Sequence, residues 1–359
     1  MTKSILIAPL AGLLALSPLL AQTPQEQEHP GPGAIVESAP ASDWKTIAAS
    51  DLLIMDLAPN AKGEARRVII QLMPPPFSQG WIDNIRKLAA AKFWDGTSIN
   101  RVQDNYVVQW GDAGYDNPES GEVKQKALPD GLMNVPESAY EMTAEQYNQF
   151  MEIEAKSASA MDAAEEAVNQ MAVIAIEDKM RAANPNYRRW EERDPYSEYA
   201  QFLEGWPIAN SGDSDEARLW PVHCYGAVGV GRNLSPDTGT GAELYTVIGH
   251  APRHLDRNIA VVGRIIEGME HLSSLPRGKG QLGFYADAKK RVPIRSIRIG
   301  DTLPKAEQPQ FEYLDSMSVS FAQYTMARAN RRDPFFITPA GGADICNIPV
   351  PVRRVKLDR

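Results

Sequence analysis

Two segments of the sequence concentrate residues whose types and spacing could do chemistry. The first, 93–112, carries one arginine, Arg101, among aromatic residues and close to an amide side chain, Gln109. An arginine side chain is always charged and presents five N–H donors in one plane. Such a group can act as a fixed hydrogen-bond donor to an atom that gains charge in a reaction. The second segment, 236–245, joins turn-forming residues to an apolar run.

Signals for other chemistries are weak. His250 and His254 have the four-residue spacing of some zinc-binding helices, but Pro252 between them argues against a helix. Four-ligand Cys/His spacing is absent from the sequence, so we expect no metal and no cofactor. The sequence also contains no G-x-S-x-G turn for a nucleophilic serine.

The blocks around Arg101 resemble the cyclophilin family of peptidyl-prolyl isomerases. The family's signature reads approximately F-Y-D-G-x-x-F-H-R-V-x-x-x-F-x-x-Q-G-G-D, and this chain reads FWDGTSINRV at 93–102 and YVVQWGD at 106–112. Three later blocks are similar to the family's P-N-T-N-G-S-Q-F-F, L-D-G-K and F-G-x-V-x-E-G-M segments: 236–245, 255–258 and 262–269. The blocks follow in the family's order, and the resemblance covers about 51–112 and 221–301.

The resemblance implies an enzyme that accelerates cis–trans isomerisation of X-Pro bonds. The barrier is roughly 18–20 kcal/mol, because the twisted C–N bond loses its resonance and the nitrogen gains a lone pair. A catalyst needs an apolar cleft for the proline ring and a donor aimed at the twisted amide. By resemblance, Arg101 is that catalytic donor. The implied substrate-binding residues line the proline pocket or contact the substrate backbone: Tyr106, Val107, Gln109, Glu243, Tyr245 and Leu255.

Four positions depart from the family's pattern. Asn100 and Ile259 replace histidines, His254 replaces a frequent aromatic residue, and Glu243 replaces a glutamine. Glu243 matters most, because its carboxylate could pair with Arg101 and occupy donors that the substrate needs, or could instead hold the guanidinium in place. We expect activity that is retained but weak, or narrow in substrate choice. The alternative is a catalytically weak or inactive cyclophilin-like binding or chaperone module.

Apolar patterns indicate the elements that position these residues. Residues 52–55 and 67–72 read as the two strands of a hairpin, and 78–91 reads as a helix with apolar residues every three or four positions. Further strands are expected at 227–230, 245–248, 259–262 and 294–299. Together with the resemblance, these patterns predict a mainly β fold. We expect a closed eight-stranded antiparallel cyclophilin-like β-barrel, capped by helices and interrupted by a large helical insertion.

The same reading divides the chain into six segments. They are a signal peptide (1–21), a flexible linker (22–50), the first part of the barrel (51–112), a largely helical insertion (113–220), the second part of the barrel (221–301) and a C-terminal extension that packs on the core (302–359). In the insertion, a capping-box sequence at 143–146 starts a helical pattern that extends to about Ala183. Its apolar face packs on the barrel or binds a partner.

The N-terminus predicts export. Lys3 is followed by an apolar run over 5–20 that is short for a membrane span and suits a secretory signal, with a cut after Ala21. The alternative is an uncleaved anchor. We expect a periplasmic protein of a Gram-negative bacterium, with no stable membrane insertion after cleavage. In an exported chain, Cys224 and Cys346 form one disulfide or remain two buried thiols.

Composition limits the range of partners. The formal net charge of −9 argues against a general nucleic-acid binder, which would need a basic surface. The expected partners are therefore proline-containing polypeptide clients, together with a possible partner of the helical insertion.

Overall fold

The computed structural model describes residues 29–114, 124–157, 160–183, 194–212, 214 and 216–355. The predicted signal peptide, 1–21, lies outside them. The strands, in chain order, are β1 (Trp44–Ile47), β2 (Leu52–Leu57), β3 (Arg66–Leu72), β4 (Ser98–Val102), β5 (Val107–Gly111), β6 (Met142–Thr143), β7 (Tyr199–Leu203), β8 (Trp206–Asn210), β9 (Arg218–Pro221), β10 (Ala227–Val230), β11 (Leu244–Val247), β12 (Val261–Glu267), β13 (Val292–Ile299), β14 (Phe311–Leu314) and β15 (Val352–Arg354). The α-helices are α1 (Pro32–Ser38), α2 (Gln79–Ala90), α3 (Ala144–Ser157), α4 (Ala160–Ala183), α5 (Glu270–Ser273) and α6 (Val319–Ala329).

Eight strands close into an antiparallel barrel in the order β10-β11-β5-β4-β13-β2-β3-β12. The predicted hairpin is β2 and β3, paired from Leu52 with Gln71 to Leu57 with Arg66. Helix α2 buries Trp81, Ile82 and Ile85 against the barrel's core cluster. The predicted fold class, a closed eight-stranded antiparallel barrel with helices, is confirmed.

Strand β2 is apolar at almost every position because both of its faces are buried. Successive side chains of a strand point to opposite faces. Leu53 and Met55 belong to the barrel's core cluster, whereas Leu52 and Ile54 pack in a separate cluster with Phe311 of β14. The barrel wall is therefore covered from outside on this side.

The insertion contains more than the predicted helices. Besides α3 and α4, its described residues form a four-stranded sheet in the order β6-β9-β8-β7. One face of this sheet packs on the barrel's core cluster through Trp206, Ile208 and Leu219. The other face packs through Phe202 and Trp220 on the cluster that contains α6. The sheet is thus a layer between the barrel and the terminal segments.

The apolar residues of α3 and α4 divide between two environments. Tyr147 packs against the barrel's core cluster. Farther along the helices, five apolar side chains are exposed, from 40% to 64% of their surface: Met151, Ile153, Val168, Met171 and Ile174. Among the described residues, the barrel therefore covers only the beginning of this apolar face.

The described part of segment 22–50 is not a linker. It contains α1 and β1, and β1 pairs antiparallel with β14. Ile35, Trp44 and Ile47 are buried there. Three apolar anchors among many Pro, Gly and Ala residues are enough to fix the chain, because the C-terminal extension supplies the surface on which they pack.

The C-terminal extension packs on the core through β14, α6 and β15, which were not predicted as elements. The apolar segment 335–337 does not dock: Phe335 and Ile337 are 83% and 99% exposed. Cys224 and Cys346 form a disulfide that ties this extension to the start of the second barrel segment. No helix within the described ranges is long and apolar enough to cross a membrane.

Candidate functional site

Four neighbouring strands carry one row of residues across the barrel surface. Gly229 of β10 pairs with Tyr245 of β11, Tyr245 pairs with Gln109 of β5, and Gln109 pairs with Arg101 of β4. Directly paired residues of antiparallel strands point to the same face. The topology therefore brings Tyr245 beside Gln109, although the two residues are more than 130 positions apart in sequence. Gly229 leaves room for the ring, since a Cβ there would lie 2.3 Å from the Tyr245 hydroxyl.

The Arg101 guanidinium is held by three hydrogen bonds. Its Nε donates to the Leu282 carbonyl at 2.7 Å, its Nη1 to Gln109 Oε1 at 3.2 Å, and its Nη2 to Gln103 Oε1. The rings of Tyr106 and Phe284 lie 5.7 and 5.6 Å from its central carbon. Burial lowers the pKa of Arg101, although a guanidinium remains charged at neutral pH.

Glu243 does not pair with Arg101. Its carboxylate is buried, accepts the Asp112 backbone N–H at 2.5 Å and is hydrogen-bonded to the Gln109 side chain. Burial raises the pKa of Glu243 well above its ordinary value, although the Asp112 N–H acts in the opposite direction. Gln109 thus links the two, with its oxygen on Arg101 and its amide on Glu243. Of the two predicted effects of Glu243, the geometry favours holding the guanidinium in place.

Gly111 makes room for this carboxylate. Its φ of +152° lies where side chains are disfavoured, and a Cβ would fall 2.1 Å from Glu243 Oε1. The glycine of the sequence block 106–112 is therefore required by close approach of the backbone to Glu243.

Of the predicted proline-pocket residues, Tyr106 lies beside Arg101, while Val107 and Tyr245 lie on the paired strands β5 and β11. Tyr106 and Leu255 are half-buried and pack against the core cluster, while Val107 and Tyr245 are buried. Val107 pairs with Val247 on β11, and His254 stacks on the Tyr106 ring at 6.4 Å. Cross-strand pairing thus places Arg101, Val107, Gln109 and Tyr245 on one face of the barrel. Glu243 joins them through its hydrogen bond to Gln109, and Leu255 follows His254, which stacks on Tyr106. Their roles remain predictions.

A buried polar chain beneath Tyr245 was not predicted. The Tyr245 hydroxyl is 2.9 Å from His223 Nε2, and His223 Nδ1 is 3.0 Å from an Asp256 oxygen. The other Asp256 oxygen accepts from Arg253 Nε at 2.6 Å, and Arg253 also binds both oxygens of Asp194. Burial alone would raise the pKa of Asp256, but the His223 hydrogen bond and the Arg253 charge lower it.

This polar network joins two parts of the molecule. Asp194 belongs to the insertion, whereas Arg253 and Asp256 belong to the second part of the barrel, on either side of Leu255. The i,i+3 spacing of Arg253 and Asp256 could have indicated an ion pair from the sequence. His223 is a single histidine between apolar residues and gives no such indication.

A glycine-rich segment that supports Arg101 was also missed. Gly278 and Gly283 approach so closely that a Cβ on Gly278 would lie 1.9 Å from the Gly283 carbonyl oxygen. This turn presents the Leu282 carbonyl to Arg101 and places Phe284 in a β-bridge with it. The run of three glycines in 278–283 was the available signal.

Asn100 and Ile259, which stand where the family has histidines, both make contacts within the barrel. Asn100 is buried, donates to the Gly111 carbonyl at 3.2 Å and accepts from the Ser98 hydroxyl at 2.6 Å. Ile259 packs against the barrel's core cluster. Within the part of the chain that the structure describes, no group of three or more His, Cys, Asp or Glu side chains could hold a metal ion.

Comparisons with known proteins identify the family and agree with the fold. The family model "Cyclophilin type peptidyl-prolyl cis-trans isomerase/CLD" matches residues 81–299, more than half of the chain. Among solved structures, cyclophilin AquaCyp293 from Hirschia baltica is 19% identical with a TM-score of 0.55, over 88% of this chain and 95% of that one. A cyclophilin type isomerase of Cryptosporidium parvum, solved in the presence of the dipeptide Ala-Pro, is 10% identical with a TM-score of 0.34, over 68% and 98%. No curated protein sequence is significantly similar to this chain.

Proposed function

The chain belongs to the cyclophilin-type peptidyl-prolyl cis-trans isomerase family, and from that premise we propose that it catalyses isomerisation of X-Pro bonds in exported polypeptides. The proline ring lies on the apolar surface formed by Tyr106, Val107, Tyr245 and Leu255. Arg101 donates to the amide as it twists. The reaction requires neither a nucleophile nor a metal.

The observation that carries this proposal is that Arg101 is held in place by hydrogen bonds and still has N–H groups available for a substrate. A guanidinium has five N–H groups. Three are used by Leu282, Gln109 and Gln103, so one N–H on Nη1 and one on Nη2 have no partner among the described residues. No carboxylate forms an ion pair with Arg101 in the described chain. A fixed, charged group with two available donors therefore stands beside an apolar surface.

Such an arrangement favours the twisted amide over the planar one. Resonance draws the nitrogen lone pair of a planar amide into the C–N bond, and twisting returns it to the nitrogen. A preorganised donor then gains strength in the transition state, and loss of one such donor typically costs about 2.7–4 kcal/mol of the barrier. Because Arg101 is held before substrate arrives, little reorganisation is needed.

The proposed location is the periplasm of a Gram-negative bacterium. The support is the apolar run at 5–20 together with the Cys224–Cys346 disulfide. Disulfides persist in oxidising compartments and are rare in the cytosol. The proposed clients are therefore exported chains that contain proline.

A binding or chaperone module is the second candidate. It is favoured by the exposed apolar side chains on α3 and α4, of which Ile153, Val168 and Met171 are each at least 60% exposed. Val168 and Met171 are three positions apart on α4 and therefore share a face, and exposed apolar patches are typical of interaction sites. In this reading, proline-containing chains are held without useful turnover.

The two candidates separate in one experiment. Exchange NMR on a proline peptide gives the catalysed cis–trans rate, and line broadening in the same sample gives peptide binding. For the isomerase we expect acceleration that Arg101→Ala abolishes while Arg298→Ala, which breaks an ion pair elsewhere on the barrel, leaves it intact. Binding without acceleration by the folded wild-type protein would favour the second candidate.

A further inference from the structure

A cavity of about 460 Å³ lies between the barrel, the inserted sheet and the C-terminal extension. Its walls come from strands β8 and β12 and from the segment that follows Cys346. Most of the lining is apolar and includes Phe202, Val222, Val261 and Ile348. A volume in this range is that of a small-molecule pocket, since such pockets measure roughly 300–1,000 Å³.

The charged residues in this wall are all of one sign. Two arginines, Arg264 and Arg328, line the cavity, and no carboxylate does so among the described residues. Neither arginine forms an ion pair within the described ranges. Two positive charges thus border an apolar cavity without any counter-charge.

Arg264 is the more deeply placed of the two. Its Nε donates to Gln71 Oε1 at 2.9 Å and its Nη1 to the Gly205 carbonyl at 2.7 Å, while the Trp206 ring lies 4.5 Å from its central carbon. Its Nη2 is shielded from water and has no hydrogen-bond partner among the residues that the structure describes. Burial lowers the pKa of Arg264 to about 10, so the side chain remains charged at neutral pH.

Arg328 adds a second donor at the edge of the cavity. It lies on α6, and its Nε donates to the Asn347 carbonyl at 2.9 Å. A buried positive charge without a counter-ion is costly, and an incoming anion removes that cost. The apolar remainder of the wall favours a ligand whose other end is a hydrocarbon.

We propose that this cavity binds a small amphiphile with a single anionic headgroup, of the medium-chain fatty-acid type. Its headgroup lies against Arg264 and Arg328, and its chain fills the space bordered by Val261 and Ile348.

No residue of the row that contains Arg101 lines this cavity. In the closed barrel order, β12 lies opposite β4, the strand that carries Arg101, although β12 is the neighbour of β10 at the other end of the row. The proposal therefore does not rest on the proposed isomerase function, and ligand binding can be measured without any assay of turnover.

Calorimetric titration of the full mature chain with decanoate tests the proposal. We expect saturable binding with one site per chain, weaker binding of 1-decanol, which has the same chain without the charge, and no binding of acetate, which has the charge without the chain. Arg264→Gln and Arg328→Gln should each weaken decanoate binding about tenfold or more. The matched control Arg67→Gln removes an exposed arginine outside the cavity and should change nothing.

Filling the cavity tests the same idea without altering charge. Ala227 is buried and lines the cavity, so Ala227→Leu should also weaken decanoate binding. The proposal is wrong if the wild-type chain gives no saturable decanoate binding, or if 1-decanol binds as tightly as decanoate. It is also wrong if Arg328→Gln and Ala227→Leu both bind like the wild type. If Arg264→Gln fails to fold, two measurements still decide the question. They are the comparison of decanoate with 1-decanol on the wild-type chain, and decanoate binding to Arg328→Gln.

Discussion

Removing one oxygen atom from Tyr245 should cost stability and leave the pocket surface intact. The Tyr245 hydroxyl lies 2.9 Å from His223 Nε2, and the His223 side chain is fully buried. Asp256 accepts from both the backbone N–H and the Nδ1 of His223, at 3.0 Å each, so Nδ1 carries the proton and Nε2 accepts from the tyrosine. In Tyr245→Phe, Nε2 loses its partner in a place that water does not reach.

The size of the effect follows from that unpaired atom. A buried polar group left without a hydrogen bond costs about 1–3 kcal/mol. The free energy of unfolding should therefore fall by about that amount, which is a factor of roughly 5 to 150 in the unfolding equilibrium. The phenylalanine ring still covers the same pocket surface. The catalysed isomerisation rate should therefore change by less than about threefold, whereas a change of about 1.4 kcal/mol in the barrier would alter it about tenfold.

Urea unfolding followed by circular dichroism measures the first quantity, and exchange NMR on a proline peptide measures the second. Tyr225→Phe is the matched control, because it removes the same atom from a side chain that is 53% exposed. We expect it to change stability by less than about 0.5 kcal/mol. Equal stability losses in the two variants would refute the reasoning, as would no loss in Tyr245→Phe.

Three further changes test other parts of the account. Burial raises the pKa of Glu243 above its ordinary 4.5, so the folded chain keeps a proton that the unfolded chain releases, and wild-type stability should fall as pH rises from about 4.5. Glu243→Gln should lessen this fall in urea titrations at several pH values; parallel pH profiles would contradict the pKa shift. Gly111→Ala should destabilise by about 1–3 kcal/mol through its clash with the Glu243 carboxylate, and unchanged urea unfolding would contradict that. Cys346→Ser should cost about 2–4 kcal/mol, because the disulfide closes a loop of 122 residues; the wild type in reductant should lose the same amount, and insensitivity to reductant would count against the bond.

The sequence predicts the barrel well because several of its blocks are constrained locally. The apolar runs of β2 and β3, the periodicity of α2 and the residues around Arg101 each indicate one structure from their own pattern. These segments also follow the order of the family's sequence blocks. The match to the family model confirms the family.

The terminal and inserted layers were harder to predict because their signals depend on partners. Strand β1 is four residues long and is stabilised by β14, which is some 260 positions later. Strands β7 to β9 contain prolines and short alternating runs, so periodicity did not distinguish them from loops. Their apolar residues are buried only because the barrel packs on one face of the sheet and α6 on the other.

Some residues of the candidate site could be predicted from the sequence, and others could not. Arg101, Gln109 and Tyr245 stand in recognisable blocks, and pairing across the sheet brings them together. The supports of these residues are not in the blocks: His223 is a single residue between apolar neighbours, and Leu282 acts through its carbonyl oxygen. Backbone acceptors and lone buried residues leave no residue-type pattern in one sequence.

The catalysed cis–trans exchange rate of wild type, Arg101→Ala and Arg101→Lys on one proline peptide tests the central claim most directly. A lysine keeps the charge but cannot be held in a plane by Leu282, Gln103 and Gln109 at once, so it loses the fixed donors. We predict acceleration by the wild type, its loss in Arg101→Ala, and a fall of at least about tenfold in Arg101→Lys. Acceleration that persists in folded Arg101→Ala, or its absence from the folded wild type, would contradict the account.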